Sequence, residues 1–176
     1  MNSISRDIYW RGTPPAGRYR AWLDDGGSLT ARIRARCRTF SVAVQASGPA
    51  RADADERALI GVARGIRAHV REVHLCCGDT ALVFARSLVD PDNERACSAL
   101  DRLGTRPLGS ALFSAAGGPR HGLRFRRLDR RHALYRRVCR SLAAPPATLW
   151  ARRSLFELHG APLLVTEVFL PAILEL

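Results

Sequence analysis

Two turn signals set between strand-like runs constrain this chain most, because they commit it to an antiparallel sheet. Gly78-Asp79 separates residues 66–77 from 81–89, and His159-Gly160 separates residues 149–158 from 162–170. A chain that doubles back at such short turns pairs its strands antiparallel, and successive side chains then alternate between the two faces. A third strand is expected at Phe40, Val42 and Val44, whose apolar residues recur at every second position.

Helical segments lie between these strands. Residues 18–25 read as a short helix stopped by Gly26-Gly27. Ser28 is placed to cap a second helix on which Leu29, Ile33 and Cys37 share a stripe. Residues 50–56 read as a polar loop. Asp90-Pro91 reads as the N-cap and first position of a helix with Ala96, Leu100 and Leu103 inside, closed by Gly104. Thr105 to Gly109 then form a loop into the short apolar segment Ala111-Leu112-Phe113. Residues 117–146 are dense in arginine, with a strand expected around Leu123 and Phe125 and a helix over 134–142. Strands joined by short turns, with three or four helices between them, predict an α+β fold. No internal repeat or long linker divides residues 1–176, so one domain is expected.

Composition excludes several classes. With 47% hydrophobic and 25% charged residues the chain can bury a core, so disorder is excluded. No run reaches the roughly 18 apolar residues of a membrane span. Residues 1–12 lack the apolar stretch of a secretory signal, so a cytoplasmic location is expected. The formal net charge of +12 comes from arginine alone, since lysine is absent. No nucleic-acid recognition motif accompanies it, so the field is expected to attract anionic metabolites rather than nucleic acid. Cys37, Cys76, Cys77, Cys97 and Cys139 show no C-x-x-C spacing, which argues against a metal site and for free thiols in a reducing compartment.

Two charges break the apolar pattern. Arg71 alternates onto the face of Val73 and Leu75, and Glu167 lies between Val165 and Phe169. A buried ion pair between them would be one explanation and a strand face turned to solvent another, but desolvating two charges stabilises little, so a ligand that uses them is the third. An arginine fork binds a carboxylate, and a glutamate among apolar residues would stay protonated and serve as a general acid. Together they suit a small aromatic or pre-aromatic carboxylic acid with an oxygen at its far end. His74 falls on the opposite face from Arg71 and is expected to be packed or exposed rather than catalytic.

At this point the sequence resembles the chorismate pyruvate-lyase (4-hydroxybenzoate synthase) family. The residues that carry the resemblance are Trp22-Leu23 with Ser28-Leu29-Thr30, then Val70-Arg71-Glu72-Val73-His74-Leu75-Cys76. Leu103-Gly104-Thr105-Arg106-Pro107-Leu108-Gly109 follows, with Leu112-Phe113, then Leu149-Trp150-Ala151-Arg152-Arg153-Ser154. Last comes Gly160-Ala161-Pro162-Leu163-Leu164-Val165-Thr166-Glu167-Val168-Phe169-Leu170-Pro171. The resemblance implies a six-stranded antiparallel sheet covered by helices and helical flaps over an internal site. It further implies conversion of chorismate to 4-hydroxybenzoate and pyruvate at the start of ubiquinone synthesis, by a monomer needing no metal or organic cofactor. Arg71 would grip the ring carboxylate with main-chain amides at Leu29 and Leu108, and Glu167 would hydrogen-bond the ether oxygen of the departing enolpyruvyl group. Leu29 stands where the family commonly has Met, a change that a backbone contact tolerates. Residues 117–146 look longer and richer in arginine than the family pattern, and are expected to add a solvated helix. A different class with a similar fold is the non-catalytic effector domain of bacterial transcription regulators, which binds a small ligand without converting it.

Overall fold

The computed structural model describes residues 10–112 and 121–176. Six strands form one antiparallel sheet in the order β1-β2-β3-β6-β5-β4, namely β1 Phe40–Ala50, β2 Ala68–Cys77, β3 Thr80–Val89, β4 His121–Leu128, β5 Leu149–Leu158 and β6 Ala161–Phe169. Both turns named above close hairpins, β2–β3 and β5–β6. The fold is therefore α+β. Its two central strands, β3 and β6, meet although five helices and strands separate them in the chain, and nearly all of β6 is buried because helices cover it on both faces.

One face carries α1 (Arg20–Leu23), α2 (Leu29–Arg34) and α4 (Glu94–Asp101), with the short α5 (Gly109–Leu112) and a terminal 3-10 helix, Pro171–Glu175. Trp22, Leu23, Leu29, Ile33 and Ile173 pack there on Val73, Leu75, Val83 and Phe169, while Ala96, Leu100 and Leu103 pack on Phe156, Leu163 and Val165. The other face carries α3 (Ala54–Ile60) and α6 (Ala133–Cys139), whose Ile60, Leu134, Tyr135 and Val138 cover Val70, Phe84, Leu88 and Val168. Ser28 caps α2, its hydroxyl accepting from the Ala31 amide. No helix among the described residues is long and apolar enough to cross a membrane.

Several expectations need correction. Residues 50–56 are not a loop: β1 runs on to Ala50, and α3 begins at Ala54 behind a capping box in which Asp53 and Glu56 satisfy each other's amides. The next helix starts at Glu94, not Pro91. Asp90 spends its side chain on the Asp92 amide in a turn, and Asn93 caps instead by accepting from Ala96. Nor are all five cysteines free. Cys37, just past α2, and Cys77, at the end of β2, form a disulfide across 40 residues, leaving Cys76, Cys97 and Cys139 as thiols. The pairing of Phe40 with Cys77 brings the two thiols together, and no sequence spacing shows it. In the arginine-rich stretch β4 and α6 form. Arg136 and Arg140 are exposed, whereas Arg137 reaches Glu72. Phe113 and residues 117–120 lie outside the described residues.

Candidate active site

The sheet makes a hollow on the α2 face because small side chains sit where large ones would fill it. Register places Arg71, Ser87, Val165 and Ser154 in one row across β2, β3, β6 and β5, and Val73, Ala85, Glu167 and Arg152 in the next. Ala85 and Ser87 thus form a shallow floor between two long charged side chains. From strand spacing and rise, the backbones of Arg71 and Glu167 stand roughly 12 Å apart on the diagonal. The space between their side chains is a partly enclosed cavity of about 60 Å³. Its walls are Phe156, Val73, Leu75 and Val165 from the sheet, Ser28, Leu29 and Thr30 from the start of α2, and Pro107, Leu108, Gly109 and Leu112 from the segment after α4. Arg71, Glu167, Leu29 and Leu108 therefore meet at one place.

Arg71 is 3% exposed. Its Nη2 donates to the carbonyls of Gly104 (2.8 Å) and Arg106 (3.0 Å), which aims the guanidinium along the cavity wall. Gly104 adopts φ +50°, a left-handed turn that a residue with a side chain resists, and this turn follows directly on the end of α4. Burial pulls the Arg71 pKa below that of an ordinary arginine. Among the described residues no carboxylate is paired with it, so it presents positive charge to whatever enters.

Glu167 departs from the environment expected of it. Its partner is neither Arg71 nor an apolar shell: Arg152, directly opposite on β5, donates from Nε to Oε2 at 2.5 Å. A side chain that already accepts from a guanidinium is set up as a hydrogen-bond acceptor. Arg152 is the group that sequence reasoning missed. The signal was present, since counting outward from the two-residue turn at His159-Gly160 puts Arg152 opposite Glu167.

His74 lies on the opposite face, buried edge-on against Phe84, and burial lowers its pKa. That face also holds a buried charge cluster in which Arg86 is gripped by Glu56 and Glu72, and Arg153 by Asp55. It ties α3 to the sheet and does not touch the cavity. Among the described residues no group of three or more His, Cys, Asp or Glu could hold a metal ion.

The family model described as chorismate lyase matches residues 13–175. Curated relatives named as probable chorismate pyruvate-lyases include one from Aromatoleum aromaticum, 50% identical over 95% of this chain and 94% of its own length. Another, from Nitrosospira multiformis, is 48% identical over 90% of this chain and 89% of its own. Among solved structures, the C-terminal domain of a histidine utilization repressor from Pseudomonas syringae aligns with a TM-score of 0.56 at 12% identity, covering 76% of this chain and 92% of that one. A GntR-family transcriptional regulator from Bacillus cereus aligns at 0.55 with 9% identity, covering 76% and 92%. At such identities these two share the fold only.

Proposed function

The chain belongs to the chorismate lyase family, and from that premise we propose how its cavity splits chorismate. The activity is chorismate pyruvate-lyase, which yields 4-hydroxybenzoate and pyruvate on the ubiquinone pathway. Chorismate is a cyclohexadiene with a ring carboxylate, a hydroxyl at C4 and an enolpyruvyl ether at C3. The bond from C3 to the ether oxygen breaks, the hydrogen on C4 leaves, and the ring becomes aromatic. The ether oxygen keeps the bonding electrons and becomes the keto oxygen of pyruvate, whose methyl group takes up the proton. Every atom of the substrate is then in the two products.

Arg71 binds the ring carboxylate through its guanidinium, with the amides at Leu29 and Leu108 adding donors. Glu167 stands at the other end and accepts from the C4 hydroxyl, which both substrate and product carry. This replaces the ether contact expected from the sequence, because a carboxyl group held by Arg152 is an acceptor. With both ends of the ring fixed, the enolpyruvyl group has few orientations left, and the apolar walls keep water from the departing oxygen. The reading takes residues 1–176 as one such domain, working in the cytoplasm as a monomer. The single observation behind it is that Arg71 and Glu167 line one cavity with a floor of small residues.

The test is to supply chorismate and follow both products. Equimolar 4-hydroxybenzoate and pyruvate are expected. Arg71→Ala should weaken substrate and product alike by about 10- to 100-fold, and Glu167→Gln should cut kcat by about 100-fold in a folded protein. Unchanged affinity in the first or unchanged turnover in the second would remove that residue from the mechanism. Binding of 4-hydroxybenzoate with no conversion of chorismate would favour a ligand sensor, the role suggested by the fold shared with transcription regulators.

A further inference from the structure

Arg152 meets the cavity-lining Glu167, and the reaction described above gives it no contact with the substrate. It is 0% exposed, and its three nitrogens have unequal tasks. Nε donates to Glu167 Oε2. Nη1 donates to three main-chain carbonyls, Trp22 (3.3 Å), Leu23 (3.2 Å) and Asp25 (2.7 Å). Nη2 is buried without a hydrogen-bond partner among the described residues. The guanidinium also lies 5.6 Å from the centre of the Phe169 ring.

We infer that Arg152 is a positioning residue for the lyase reaction, fixing the Glu167 carboxylate and its distance from the start of α2. The inference rests on the reading that Glu167 receives the C4 hydroxyl. Two features of the geometry carry it. First, a side-on pair would occupy both Glu167 oxygens, with Nε and Nη2 each taking one. Here Oε2 alone has a donor among the described residues, so Oε1 remains for a ligand while the carboxyl group cannot rotate freely. Second, the carbonyls gripped by Nη1 belong to the end of α1 and to the turn three residues before Ser28. The chain then enters α2 through Ser28, Leu29 and Thr30, which line the cavity. One planar, rigid group thus holds both the acceptor end of the site and the wall carrying the Leu29 amide. Lysine cannot do this, because a single ammonium lacks the fixed fork that reaches a carboxylate on one side and carbonyls on the other.

A merely structural arginine predicts something different, namely loss of stability and a rate loss independent of Glu167. A double-mutant cycle separates the two. Wild type, Arg152→Gln, Glu167→Gln and the double variant are compared with chorismate for kcat and KM, alongside their melting temperatures. Because Arg71 is intact, Arg152→Gln is expected to lower kcat by about tenfold or more while KM moves less than about threefold. In the Glu167→Gln background the same change should cost less than about twofold, since the group it positions is already disabled. Arg152→Lys guards against a glutamine variant that fails to fold. It keeps the charge, and is expected to remain folded with kcat still down by about fivefold or more. Multiplicative losses in the cycle, or a folded lysine variant at wild-type kcat, would overturn the inference. Full activity in Glu167→Gln would instead strike the underlying reading of Glu167, and Arg152 would have nothing catalytic to position.

Discussion

Arg71 and Arg152 show how differently two buried guanidiniums can be used. Among the described residues Arg71 has carbonyl partners alone, which on the proposed reading leaves its charge for an incoming anion, whereas Arg152 is matched by Glu167 and, on the inference above, positions it. His74 and His132 have a thermodynamic effect instead. Burial disfavours the imidazolium at His74. At His132 burial does the same with help from Arg126, outweighing the opposite pull of Asp55 and Glu56. Both therefore bind a proton less readily in the folded chain than in the unfolded one, where histidine titrates near about 6.5. Well above that pH neither state holds the proton and the stability is intact. As pH falls through about 6.5 and below, the unfolded chain takes up protons that the folded chain resists, so stability declines. The melting temperature should drop between pH 8 and pH 5.5, and His74→Gln should remove part of the drop. A flat profile would contradict the burial of these rings.

Among elements, the hairpins were the legible part, because a two-residue turn fixes register without any knowledge of tertiary contacts. That rule worked fully for β5–β6. It fails for β2–β3 by one residue: counting from Gly78-Asp79 sets Arg71 opposite Arg86, but the irregularity after Leu75 shifts it to Ser87. The slip matters, since Ser87 joins Arg71 on the cavity face while Arg86 goes to the buried charge cluster behind. Helix α3 was hidden because its Ala/Asp/Arg composition lacks an apolar stripe until Leu59 and Ile60, and ion pairs to Arg86 and Arg153 join the packing of Ile60 in holding it on the sheet. The Cys37–Cys77 bond anchors the end of α2, whose first turn carries Leu29 at the cavity. Closing a loop of 40 residues is worth about 4 kcal/mol in the chain-entropy account. A thiol reductant should therefore lower the melting temperature clearly, and Cys77→Ser should melt at the reduced position with or without reductant. If reduction leaves the melting temperature unchanged, the bond does not hold this corner of the fold.

For the whole molecule, the excess of arginine has a consequence for the substrate that no single contact provides. Chorismate carries two carboxylates, and a protein with a formal charge of +12 attracts a dianion before any contact is made. Raising ionic strength screens that field, whose range is about 10 Å at 0.1 M salt and about 3 Å at 1 M. The value of kcat/KM should fall several-fold over that range while kcat holds, and an unchanged kcat/KM would mean that only local contacts with Arg71 draw the substrate in. The architecture itself does not decide between catalysis and sensing, since regulators of 12% identity share it. What the proposed chemistry requires is the pair of groups that line its cavity, Arg71 and Glu167. Binding of 4-hydroxybenzoate and of benzoate to wild type, Arg71→Ala and Glu167→Ala tests that pairing most directly. Wild type should prefer 4-hydroxybenzoate, Arg71→Ala should weaken both ligands by a similar factor, and Glu167→Ala should erase the preference while leaving benzoate nearly unaffected. A preference for the hydroxylated ligand that survives in Glu167→Ala would show that the ring does not lie between these two side chains.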